Sequence, residues 1–82
     1  MADVIPYPLA NRRDLVRRQA EWFLHQGHRA AEGSLFRLLM VQRDTLLTKG
    51  VDPTLVEAEV QALEAAIRAE VWRLTLAPEV GA

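Results

Sequence analysis

From about residue 12 to residue 76 the apolar positions return every three or four residues, the spacing of a helix face. Alternation of the strand kind is missing apart from an ambiguous Asp3 to Leu9. The pattern predicts three helices, at about 12–26, 29–49 and 53–76. The fold class is all-α: a three-helix bundle, or an antiparallel helical hairpin plus a helix. In the first helix Leu15, Val16, Gln19, Trp22 and Phe23 share one face, and Arg13, Asp14, Arg17, Arg18 and Glu21 the other. Asn11 is its expected N-cap, Asp14 favours the dipole in the first turn, and Gly27 is the expected C′ residue that stops it. In the second helix Leu35, Leu38, Leu39, Gln42 and Leu46 form one stripe and Phe36, Met40 and Leu47 a second beside it, an arc wide enough to need more than one neighbour. Gly50 closes that helix, and the pair Gly33 and Ser34 weakens it enough that its start could fall as late as Ser34.

The third helix has the clearest start. In "GVDPTLVE", Asp52 is placed to cap, Pro53 occupies the first helical position, and Val51 and Val56 are spaced as a hydrophobic staple. Val56, Val60, Leu63, Ile67, Val71 and Leu74 make a continuous stripe. Ala58, Ala62, Ala65, Ala69, Trp72 and Leu76 make another on nearly the opposite side. A three-helix monomer needs to bury only one of these, and a row of alanines lets another helix come close. The second stripe therefore predicts a homodimer through the third helix and the wide face of the second. Pro78 ends the helix and leaves a tail over 77–82. Ahead of the helices, Pro6 and Pro8 predict an extended arm over 1–10, anchored by Ile5, Tyr7 and Leu9.

Length and charge sharpen this picture. The chain has 82 residues, half of them hydrophobic, which suits one folded domain. A core this small supplies only about 3–5 kcal/mol, and with no cysteine neither disulfides nor thiolate metal sites can add to it, so self-association is the remaining staple. No apolar run approaches a bilayer span and no secretory signal pattern opens the chain, so the expected location is the cytoplasm, with no membrane partner. The net charge of -1 conceals two unlike parts. Met1 to Gly50 carries eight Lys/Arg against five Asp/Glu, and Val51 to Ala82 carries two against six, so the parts should attract.

Candidate chemistry changes little. Glu21, His25, His28 and Glu32 have metal-ligand types at helix-like intervals, but Gly27 separates the histidines, and solvated residues around a turn are the preferred reading, with no metal and no cofactor. Ser34, Thr45, Thr48, Thr54 and Thr75 lack any nucleophile-elbow or base pattern. Glu59 and Glu70 lie about 16 Å apart along one helix, too far for paired acid-base work. The expectation is no enzyme and no catalytic residue. The quartet Arg12, Arg13, Arg17 and Arg18 is the candidate basic patch and the one feature resembling a nucleic-acid footprint. Asp14 and Glu21 interrupt it, and "LFRLLMVQRDTLL" is too apolar for a recognition helix. Salt bridges to the acidic third helix are the preferred reading of these arginines. A membrane-surface role for a basic helix bearing Trp22 and Phe23 ranks below packing in a core.

"VIPYPLANRRDLVRR" near the start and "VEAEVQALEAAIRAEVWRLTL" near the end resemble a family of short bacterial proteins of unknown function. In that family a proline-containing arm leads into an arginine-rich helix, and the last helix carries an Ala/Glu-rich pattern ending in Trp-Arg-Leu, like Trp72, Arg73 and Leu74. The resemblance implies a small cytosolic all-helical protein and transfers no catalytic residues. The break at Gly33 and Ser34 departs from it. The resulting expectation is a non-enzymatic adaptor or regulatory protein that associates with itself and with an unidentified protein partner. The alternative is a small nucleic-acid-associated regulator using the first helix.

Overall fold

The computed structural model describes residues 8–76. A short 3-10 turn at Leu9–Asn11 leads into three helices: α1, Arg13–His25; α2, His28–Thr48; and α3, Pro53–Leu76. The fold is all-α as expected, with α3 packed against the turn and both other helices. Ion pairs joining Arg43 to Glu57 and Arg68 to Glu32 set α2 and α3 antiparallel. The described residues spread over 53 × 27 × 16 Å, so the molecule is thin for its length.

The core is aliphatic. Leu15 and Val16 of α1, Leu35, Leu39 and Leu46 of α2, and Val56, Val60, Leu63 and Ile67 of α3 meet in one cluster, joined by Leu9 and Val51 from outside the helices. Leu63 and Ile67 are fully buried. The start of α3 forms as read: Asp52 Oδ2 accepts from the Thr54 and Leu55 amides at 3.0 and 3.3 Å, and both staple valines, Val51 and Val56, are buried. Gly50 takes a φ of +87°, the left-handed conformation that lets the chain leave α2.

Other boundaries differ from expectation. Asn11 does not cap α1. Its backbone is spent in the 3-10 turn, where Asn11 N–H donates to Pro8 and Arg12 N–H to Leu9, so the cap position falls on Arg12, whose side chain makes no capping bond. Nor is the arm extended to residue 10, because Leu9 and Ala10 belong to that turn. Leu9 is buried and its amide donates to Glu59 Oε1 at 2.9 Å, which fastens the turn to α3. The other two expected anchors, Ile5 and Tyr7, lie outside the described residues, as does the tail.

Gly27 does not stop α1 with a left-handed turn. Gln26 adopts an extended conformation and Gly27 serves as the N-cap of α2 with φ -63°. Gln26 also works as a side-chain brace: its Nε2 donates to Trp22 O, and its Oε1 accepts from the Ser34 hydroxyl at 2.8 Å. Helix α2 runs unbroken from His28 through Gly33 and Ser34, and the Ser34 hydroxyl is engaged by Gln26 instead of competing for the helix backbone. Gly33 is exposed, and a Cβ added there meets nothing within 4 Å. Gly33→Ala should therefore raise the unfolding free energy by about 1 kcal/mol, since glycine costs that much in a helix interior. Urea denaturation at fixed protein concentration checks this, and a loss of stability would contradict it.

The buried face of α1 is also rotated from the one expected. Ala20 is fully buried, Phe23 is half-buried against the core, and Trp22 is 57% exposed. At about 100° per residue Val16, Ala20 and Phe23 lie closer to one line than Trp22 does, and the small Ala20 lets α1 sit near its neighbours.

Candidate interaction surface

α3 is two-sided because its apolar positions follow two registers half a turn apart. Val56, Val60, Leu63 and Ile67 take the core side and are buried, and Val71 and Leu74 are partly so. On the far side Ala58, Ala62, Ala65, Ala69, Trp72 and Leu76 are all exposed, Trp72 at 63% and Leu76 at 68%. The structure brings all six into one line facing away from the core. Leu55, 40% exposed, extends that line and was missed by the sequence reading. The signal was present: Leu55, Ala58, Ala62, Ala65, Ala69, Trp72 and Leu76 are spaced alternately three and four residues apart, the a/d repeat of a coiled-coil seam.

Ion pairs border the seam on its α2 side. Arg43 meets Glu57 at 2.7 Å, and Arg68 forms two bonds to Glu32 at 3.0 and 2.8 Å while its Nε donates to Glu64 at 3.1 Å. Just outside Glu32 and Arg43 on α2 come Phe36, 62% exposed, half-buried Met40 and exposed Leu47. Helical periodicity turns these three toward the same side as the α3 seam. The second stripe of α2 is thus left largely uncovered by the other described residues.

The hydrogen bonds from Arg68 hold the Glu32 carboxyl below its ordinary value of 4.5 and raise the guanidinium. A carboxyl lowered in the folded chain adds stability above the unfolded pKa, and that stability is lost as pH falls through the folded value. The melting temperatures of the parent and Glu32→Gln should therefore converge on acidification below about pH 4.5 and lie furthest apart near neutrality. A gap that is constant with pH would contradict this.

The arginine quartet is not gathered into one patch. Arg13 and Arg17 line a cleft of about 840 Å³ between the start of α1 and α3, opposite Glu70 and Arg73. Arg18 lies on another side of α1, beside Trp22 and His25, and Arg12 stands exposed at the cap position. The expected bridges to α3 do not form. Arg17 pairs with Glu21 on its own helix at 3.2 Å, and none of the four lies within ion-pair distance of an α3 carboxylate. Those carboxylates have other partners: Glu57 has Arg43, Glu59 the Leu9 amide, Glu64 has Arg68, and Glu70 has Arg73 at 2.6 Å. Arg73, with smaller help from Arg17 and Arg13, holds the Glu70 carboxyl low.

His25 Nδ1 lies 2.8 Å from the Glu21 carbonyl oxygen, and His28 opens α2. Among the described residues no three His, Asp or Glu side chains cluster to hold a metal ion, and no helix is long and apolar enough to cross a membrane.

The chain belongs to a family of unknown function, DUF6074, whose model matches residues 1–81. No curated protein and no solved structure matches it.

Proposed function

We propose that this chain is a small non-enzymatic interaction protein of the cytoplasm, an adaptor or regulator that associates with itself through the outer face of α3 and the adjoining flank of α2. One observation carries the reading: a seven-position seam at coiled-coil spacing is exposed along its whole length, on the side of α3 that the core does not use. Its side chains are leucine, alanine and tryptophan, suited to contact and not to turnover. A small core gives the chain a thermodynamic reason to cover them. If association and folding are linked, the melting temperature rises with protein concentration, because a partner that binds only the folded chain stabilises it. A melting temperature unchanged over a hundredfold range, about 1 to 100 μM, would overturn the reading.

A second reading, nucleic-acid association, is favoured by three arginines, Arg13, Arg17 and Arg73, lining one cleft, with Arg17 paired among the described residues only to Glu21 of its own helix and Arg73 to Glu70. The preferred reading expects no salt-sensitive binding of labelled DNA or RNA. Binding that weakens in Arg13→Gln/Arg17→Gln, with a salt slope reduced by about one unit per lost phosphate contact, would transfer the function to nucleic acid.

A further inference from the structure

We infer that the contact is a two-fold pairing in which α3 lies antiparallel to α3 of a second copy, with the axis near Ile67, an inference that rests on the self-association proposed above. Side-chain size sets the register. Past Leu55 at its N-terminal end, the seam is small from Ala58 to Ala69 and then ends in Trp72 and Leu76. An antiparallel copy places Ala58 against Leu76, Ala62 against Trp72 and Ala65 against Ala69, each contact occurring twice as two-fold symmetry requires. Trp72 and Leu76 then each meet an alanine, and from Ala58 to Leu76 the helix axes keep a close, even separation. A parallel copy stacks Trp72 on Trp72 and alanine on alanine, which splays the helices at one end.

Charge agrees with the same arrangement. Glu59, one oxygen of which already accepts from the Leu9 amide, and Arg73, paired with Glu70 on its own helix, flank the seam on one side at opposite ends, so reversal brings each near the other in the second copy. Arg68 flanks the other side near the axis and faces its own copy, but Glu32 and Glu64 already neutralise it. The helix dipoles also oppose one another in this orientation. The Glu32–Arg68–Glu64 network thereby acquires a role beyond joining α2 to α3: it masks a charge that would otherwise repel its copy at the axis.

The chain has no cysteine, so introduced thiols report cleanly. Ala65→Cys labelled with nitrogen-15 is mixed with unlabelled Ala69→Cys, allowed to exchange, and oxidised gently; disulfides are identified by mass. Both sites are exposed in the single chain, so each variant should fold. The expected product is predominantly the mixed disulfide, because bridging demands Cα atoms within about 7 Å and like positions are offset by a turn in this register. Predominant like-with-like disulfides, 65 to 65 and 69 to 69, overturn the antiparallel arrangement while leaving self-association intact. A dimer by light scattering with no disulfide at either site overturns the α3 contact. A monomer under the same conditions overturns the underlying reading as well.

Discussion

Leu63→Ala or Ile67→Ala should leave the chain largely unfolded at room temperature. Both side chains are fully buried on α3, the helix that touches every other element. Truncation of a buried leucine or isoleucine costs about 2–5 kcal/mol through lost transfer energy and the cavity left behind. A domain of this size holds a stability of only about 3–5 kcal/mol from its core, so one such loss removes most of it. Far-UV circular dichroism and urea titration at matched concentration check the result. A loss under about 1 kcal/mol at either position would mean that the α3 core stripe is not what holds the fold together.

Trp72→Glu should have the second largest effect, and on a different property. Because Trp72 is 63% exposed in the single chain, its replacement leaves the monomer core untouched. In the paired state the carboxylate is buried against alanine without a partner, which costs about 3–5 kcal/mol per site, and two-fold symmetry imposes the penalty twice. The dissociation constant should rise by at least about four orders of magnitude, since each 1.4 kcal/mol is tenfold. Trp72→Phe should retain most of the association. Light scattering of the two variants beside their circular dichroism separates lost assembly from lost folding; a Trp72→Glu protein that assembles like its parent would remove Trp72 from the contact.

The features legible in the sequence were those decided by local chemistry. Asp52 and Pro53 fix the start of α3 because the cap and the first-turn preference act within four residues, and Gly50 marks a turn that only a left-handed residue closes. Val56, Val60, Leu63 and Ile67 face the core because theirs is the stripe of large aliphatic side chains, while the opposite stripe is mostly alanine and has less apolar surface to bury. The misreadings arose where a local signal had a competitor. Asn11 is a good capping residue, but the 3-10 turn takes its backbone first, and Gly27 has the right composition for a helix stop that Gln26 performs instead. Trp22 sits at the margin of its stripe, where a rotation of a fraction of a turn exchanges inside for outside.

The candidate surface divides along the same line. Its six named residues were readable as an apolar stripe opposite the core, and Leu55 as well once the alternating three and four spacing is followed back one step. The fate of the arginines was not readable. Charge balance between the two parts of the chain predicts attraction without saying which acid meets which base. Arg43, Arg68 and Arg73 reach the α3 carboxylates from nearer positions, and a backbone amide takes Glu59. Ion-pair partners depend on how each helix is turned about its axis, which no spacing rule specifies.

Self-association is the claim on which the functional account stands, and sedimentation equilibrium of the full chain in physiological salt tests it most directly. The account predicts a mass of twice 9.2 kDa at micromolar concentration, falling toward one chain on dilution. A mass of 9.2 kDa at every concentration up to saturation would contradict it.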